Sequence, residues 1–409
     1  MTYQPFLAEA AAGSIEPRHV VVPLRKVLRS CRVVTATVED VDHVGKVATA
    51  TRPDGERMEL HYDVLVMAPG SIARPLPVPG LAESAISFKT LGEAIYLRNH
   101  VLSRLDLAAG TDAPSRRRRR LTFVVVGGGY SGVEIIAELE DMARYALRLH
   151  PELAPSDLRW VLVEASDRIL PEVSPSLGTY TAQRLRKRGI EVRFNTRVES
   201  MVGGHVVLSD GAQLDADTIV WTVGVRANPL AARAGLPVDV QGRLVCNTEL
   251  QVRGVGDVWS AGDSAAVRDL SRTDDPRALC GPTAQHAVRQ AKRLADNIIA
   301  TLRGRSPKPY QHPDAGSVAS LGLHKGVAEI YGIRLRGWLA WFMHRAYHVS
   351  IMPTFNRKAR IVADWTLALV FRREVVSLEQ VQQPRQVWQS AVRSAETTAT
   401  GVAELDIAR

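Results

Sequence analysis

At 409 residues, with 45% apolar and 23% charged side chains, the chain exceeds one ordinary domain; two or three domains, each with its own core, are expected and wholesale disorder is excluded. A formal net charge of +9 favours an anionic partner, either lipid or nucleic acid. Cys31, Cys246 and Cys280 lie far apart with no CxxC pair, so neither a dithiol nor a zinc site is read from them, and a reduced intracellular chain is expected.

The run "FLAEAAAG" followed by "RHVVVPLRKVL" predicts a short amphipathic helix. From Cys31 the pattern turns strand-like through "RVVTATVEDV", "KVATATR" and "MELHYDVLVMAPGS", with Asp54-Gly55 as a hairpin signal. Residues 110 to 118 lead into the arginines Arg116 to Arg120 and read as a charged linker loop, either solvated or in contact with lipid or phosphate. An α/β segment follows. It predicts a strand over 121–126, a helix from Tyr130 to Leu149, a strand at "RWVLVEA", a helix near 175–188, and strands at "IEVRFNTRV" and "TIVWTVGV". "RLVCNTELQV" and "GDVWSAGDSA" resemble the earlier "YDVLVMAPGS", which implies one domain split by insertion of another. A helix from Thr283 to Leu302 closes its second half. No stretch reaches the roughly 18 to 20 apolar residues of a membrane span, and the first 20 residues lack the core of a signal peptide.

The turn "VVVGGGYSGVE" carries the chemistry. Gly127 permits a tight strand-to-helix turn, Gly129 lets the backbone approach a pyrophosphate, and Gly132 lets helix and strand pack closely. The helix N-terminus then offers free N–H groups and a positive dipole end to phosphates. Glu164, ending the next strand, stands where such folds accept a ribose 2′-hydroxyl, or is a solvated strand-end residue. A carboxylate there repels a 2′-phosphate and favours NADH over NADPH, although Arg168 works against that inference. Asp263, beside Gly262, either accepts from ligand hydroxyls or caps a helix.

Taken in order, "YDVLVMAPGS", "VVVGGGYSGVE", "VEAS", "WTVGVRANP", "VWSAGDSA" and "PTAQHAVRQA" resemble the two-dinucleotide-domain flavoprotein oxidoreductases, and among them the type II, non-proton-pumping NADH:quinone oxidoreductases. The resemblance implies an α/β fold of two Rossmann-like domains. An FAD domain, 1–115 and 242–309, would be split by an NADH domain, 116–241, and followed by an amphipathic membrane-associating region, 310–388, and a disordered tail, 389–409. It places Ala68, Pro69, Gly70, Gly262 and Asp263 at the FAD and Gly224 at the domain junction. Glu134 falls near flavin and nicotinamide, with Gln285 and Lys325 on the quinone side. Members of the family begin with a further GxGxxG unit ahead of the stretch resembling "YQPFLAEAAAG". Starting from Met1, this chain is expected to have an incomplete FAD adenosine site.

In "RGWLAWFMHRAYHVSIM", Trp338, Trp341, Phe342, Ala346 and Val349 recur at helical spacing with Arg345 on the same face, and "RKARIVADWTLALVFRR" follows. Tryptophan flanked by arginine is the pattern of a helix lying in the headgroup layer, though core packing or a dimer face would also produce it. The expected activity is oxidation of NADH through FAD by a membrane quinone, on an anionic lipid surface at the cytoplasmic side of the cell membrane, with no nucleic acid as partner and a homodimer left open. The alternatives are a flavoprotein reductase with another acceptor and an inactive NADH-binding module.

Overall fold

The computed structural model describes residues 1–312, 316–371 and 373–377; the expected tail at 389–409 and the end of the C-terminal region lie outside the described residues. The strands that position the site are β1 (Ala85–Ser87), β2 (Thr122–Val126), β3 (Arg159–Val163), β4 (Ile190–Arg193), β5 (Thr218–Trp221), β6 (Gly316–Ser320), β7 (Gly326–Ile330) and β8 (Ile333–Arg336). The helices are α1 (Leu7–Ala11), α2 (Leu91–Ala109), α3 (Tyr130–Ala146), α4 (Ala284–Leu302), α5 (Trp338–Ile351) and α6 (Phe355–Phe371).

A five-stranded parallel sheet in the order β1-β5-β2-β3-β4 forms the centre. Every residue of β2 and β5 is buried, as expected for the apolar runs "TFVVV" and "TIVW" in a parallel sheet covered on both faces. Alternation divides the side chains. Phe123 and Val125 point to a core built with Leu97 of α2 and Val133 and Leu139 of α3, whereas Val124 and Val126 point to an antiparallel meander over 198–215 that contributes Val206, Leu208 and Leu214. The sheet takes in β1, and α2 packs on α3, so the compact unit reaches back before residue 116. A capping box starts α2. Thr90 Oγ1 accepts from the Glu93 N–H at 3.2 Å, and the Glu93 carboxylate accepts from the Thr90 N–H at 2.7 Å.

The stretches on either side of this unit share a second core. Val258–Trp259 pairs in parallel with Leu65–Val66, and Val41, Met67, Trp259 and Leu294 of α4 pack together. Two strands, Ser71–Ala73 and Val225–Ala227, run antiparallel where the chain passes between the two units.

Local expectations are corrected at two places. The arginine run is a helix over Pro114–Arg120 rather than a loop; proline opens it, and Arg119 Nε donates to Asp217 at 2.6 Å. At the N-terminus one amphipathic helix gives way to two separate short ones, α1 and Leu24–Val27, with Pro17 and Pro23 standing between them.

The C-terminal layer is the antiparallel sheet β6-β7-β8 followed by α5 and α6, laid against α1 and α3. Buried charge joins it there. Glu138 of α3, fully buried, accepts from Arg373 Nη2 at 2.8 Å and from Ser320 Oγ of β6 at 3.1 Å. Glu140, also buried, accepts from Arg188 Nε at 2.9 Å and Arg144 Nε at 2.6 Å. Glu9 of α1 accepts from Arg345 Nη2 at 2.9 Å and Trp365 Nε1 at 3.0 Å, and the Arg345 guanidinium lies over the rings of Trp341 and Trp365 at 4.1 and 4.6 Å. Burial pushes the Glu9 carboxyl up, and the Arg345 charge opposes that shift.

The expected outward stripe of α5 is therefore divided. Trp341 and Arg345 face the protein, while Trp338 and Phe342 are more than half exposed. Removing the guanidinium would strand Glu9. Arg345→Ala is expected to cost about 3–5 kcal/mol, read from denaturant midpoints, and a loss below about 1 kcal/mol would contradict the pairing.

Candidate active site at the domain junction

The turn after β2 is built as the glycine spacing requires. Gly127 has φ of +108°, and a Cβ there would lie 2.8 Å from Thr222 Oγ1. A Cβ on Gly132 would lie 1.8 Å from the Gly127 carbonyl oxygen, so α3 can approach β2 this closely only with glycine there. Over Gly129 a Cβ would meet nothing within 4 Å, which leaves open space at the N-terminus of α3, where no side chain caps the helix.

Glu164 stands against this turn. One carboxylate oxygen accepts from the Gly128 N–H at 2.6 Å; the other accepts from the Ser166 N–H and hydroxyl at 2.8 and 2.6 Å. Arg168 donates to the carbonyl of Pro171, so it is held within its own loop.

Across the junction Gly70, Gly224 and Gly262 all take left-handed φ, and a Cβ on Gly70 or Gly224 would meet nothing within 4 Å. Ala68 is exposed and Pro69 half-buried just before Gly70. Asp263 lies in a single 3-10 turn, Gly262–Ser264, and accepts from Ser71 Oγ at 2.5 Å. The helix-capping alternative is excluded, since α4 starts at Ala284 and is capped by Thr283. Lys89 Nζ donates to the same Ser71 oxygen at 2.7 Å; burial pushes this half-buried amine down, while Asp263 and Glu93 pull it back up. Ser71 ends the stretch "YDVLVMAPGS" but is not singled out in it, and Lys89 belongs to no spaced motif.

Glu134 faces the C-terminal layer. Its Oε1 accepts from the Ser320 N–H at 3.0 Å and lies 3.5 Å from His344 Nε2. His344 is buried, and its other ring nitrogen is 4.0 Å from Glu9. One turn on, His348 lies 3.0 Å from the Tyr3 hydroxyl, and burial beside His344 pushes it down to about 2. The i, i+4 spacing of His344 and His348 was the available signal.

Gln285 and Lys325 are not brought together. Gln285 Nε2 donates to the carbonyl of Gly316, at the start of β6, and its Oε1 lies 2.8 Å from His312 Nε2. Lys325 follows the far end of that strand, where Ser320 pairs with Gly326, and sits 3.5 Å from Asp141 of α3. Five strand residues, roughly 13 Å, separate the two ends.

The family model for pyridine nucleotide-disulphide oxidoreductases matches residues 1–291. This chain belongs to that family. Its relatives include demethylphylloquinone reductase NdbB of Synechocystis, 31% identical over 372 residues, with 89% of this chain and 85% of that protein covered. Another is type II NADH:quinone oxidoreductase Ndh of Mycobacterium tuberculosis, 29% identical over 385 residues, covering 91% and 81%. The solved structure of NDH2 from Plasmodium falciparum in complex with NADH matches with a TM-score of 0.84 at 16% identity, over 92% of each chain. The fold is thus the paired Rossmann-like architecture of the family, with a further C-terminal layer.

The two inner glycines should behave differently. Gly132→Ala is expected to destabilise by about 1–3 kcal/mol because carbonyl and helix must separate, as read by thermal unfolding. Gly129→Ala should leave stability unchanged and weaken nucleotide binding measured by calorimetry. Equal unfolding temperatures for the two variants would refute this assignment.

Proposed function

We propose that the chain is an FAD-dependent NADH:quinone oxidoreductase. One observation carries this reading: Lys89, Gly127, Glu164 and Thr222 all follow the C-terminal ends of parallel strands, where such sheets bind ligands, and Lys89 joins Asp263 through Ser71. The name of the Mycobacterium relative gives NADH and quinone, and that of the Synechocystis relative gives a quinone.

The residues present fit the flavin-to-pyrophosphate part of a flavin dinucleotide. Space is open over Gly70 and Gly224, and beside it Asp263 and Lys89 offer an acceptor and a cation to ligand hydroxyls and phosphates. Bound FAD would accept a hydride equivalent and release electrons one or two at a time, chemistry that no side chain supplies. The protein's part is positioning. The N–H groups at the start of α3 hold the NADH pyrophosphate, and Glu164 accepts from the ribose while repelling a 2′-phosphate. Arg168, which could offset that repulsion, donates instead to the Pro171 carbonyl.

Reduction of a quinone by NADH takes up one proton beyond the hydride. Glu134 Oε1, with His344 Nε2 3.5 Å away, is the group placed to hold it. Gln285 fastens the start of α4 to the acceptor side through Gly316. Lys325 pairs with Asp141 of α3, and Lys89 is a further cation, bonded to the Ser71 hydroxyl beside Asp263.

Among the described residues no helix is long and apolar enough to cross a membrane. Trp338, Phe342, Phe355, Val370 and Phe371 are exposed on α5 and α6, with Arg357, Lys358 and Arg360 nearby. That surface would seat in anionic headgroups at the cytoplasmic side of the cell membrane, where quinone is reached.

The test is steady-state NADH oxidation by the purified protein on anionic vesicles carrying quinone. Quinone-dependent turnover is expected, and its absence would overturn the proposal. In the same assay Glu164→Gln should raise the NADPH-to-NADH ratio of kcat/KM roughly tenfold; an unchanged ratio would remove Glu164 from the nucleotide site.

A further inference from the structure

The loop between the second core and α4 folds back as a hairpin. Arg268 bridges Leu279, the Asp269 N–H donates to the Ala278 carbonyl, and the Cys280 N–H donates to the Val267 carbonyl, each at 2.9 Å. In that register Val267, Asp269, Ala278 and Cys280 share one face, which makes the Asp269 carboxylate and the Cys280 thiol diagonal neighbours. The first turn of α4 lays His286 over the same face. One ligand-type atom from each of Asp269, Cys280 and His286 lies within 4.8 Å of the other two.

The geometry points to a divalent metal site of the zinc class formed by Asp269, Cys280 and His286. A thiolate, an imidazole and a carboxylate together suit zinc and its borderline neighbours rather than magnesium or calcium. Bonds of about 2.0–2.3 Å in a tetrahedron put ligand atoms roughly 3.3–3.6 Å apart. The present spread closes to that by side-chain shifts of about 1 Å, with a solvent molecule as fourth ligand.

The surroundings are those of a prepared site. The Ser271 N–H and hydroxyl hold one oxygen of Asp269 at 2.9 and 2.6 Å, which orients the carboxylate. The Tyr310 hydroxyl, on a buried side chain, lies 2.9 Å from His286 Nδ1 and restrains the ring, as outer hydrogen-bond partners do at metal-bound histidines. Cys280 is itself buried, so the metal would be shielded on the protein side. Binding exchanges the thiol proton for the metal: Cys–SH and M²⁺ give Cys–S⁻–M²⁺ and one proton released to solvent. The ion would tie the 269–280 loop to the first turn of α4, the turn that carries Gln285. Spacing alone hides this site, because its ligands come from both arms of a hairpin and from a helix.

The test is titration of the full-length, chelator-treated protein with Co²⁺, recorded as difference spectra. One equivalent per chain should produce visible d–d bands and a near-ultraviolet thiolate-to-cobalt band, and Zn²⁺ should erase both. Cys280→Ser should lose the thiolate band, Cys31→Ser should keep it, and Asp269→Asn and His286→Gln should weaken Co²⁺ binding roughly tenfold or more. If Cys280→Ser does not fold, the two half-exposed positions decide. No thiolate band in the unaltered protein, a band lost only with Cys31, or full affinity in both Asp269→Asn and His286→Gln would overturn the site.

Discussion

The carboxylates of α3 set the condition that the rest of the molecule meets. A helix buried along most of its length carries Glu138 and Glu140 in its interior, and an unpaired charge there would cost several kcal/mol. Each is answered by an arginine from elsewhere: Arg373 from beyond α6, and Arg188 from the turn ahead of β4. Glu9 repeats the arrangement with Arg345. Because the arginines come from distant segments, neutralising the acids fixes the C-terminal layer onto the helix that begins at the nucleotide turn. One helix thus touches the glycine turn at its first residue and, through Glu134, the C-terminal layer one turn later.

That shared helix gives the proposed electron path a physical form. Nucleotide, flavin and acceptor would converge on the junction where Ser71–Ala73 meets Val225–Ala227, a two-strand crossing that sets how the two dinucleotide units face each other. On this proposal the acceptor side is the C-terminal layer. Its inner face is spent on Glu9, Glu134 and Glu138, and its outer face of Trp338, Phe342 and Phe371 is left to solvent or lipid. The division within α5 follows from chemistry: a guanidinium sandwiched by two indoles and bonded to a buried glutamate belongs inside, whatever its place on a helical wheel.

Much of the central sheet was legible in the sequence because its signals are local. The valine run of β2, the spacing of Gly127 and Gly132, and the acid ending β3 each report a backbone requirement that neighbours along the chain can express. The three-residue β1 carries too little pattern to announce its place beside β5, and the Pro114–Arg120 helix was masked by charge. Partnerships were the illegible part. Periodicity put Arg345 and Trp341 on the outward stripe because it reads spacing and not what lies opposite; Glu9 supplies the reason, 336 residues away. In the same way spacing could not show that Lys325 pairs with Asp141, or that Lys89 reaches Asp263 through Ser71.

The most direct measurement of the central claim separates the two half-reactions. Under anaerobic conditions the purified protein is titrated with NADH and then with quinone while the visible absorbance of flavin is followed. The account predicts that one NADH per bound flavin bleaches the band and that quinone restores it. A chain carrying no flavin, or a flavin that NADH does not reduce or quinone does not reoxidise, would contradict it.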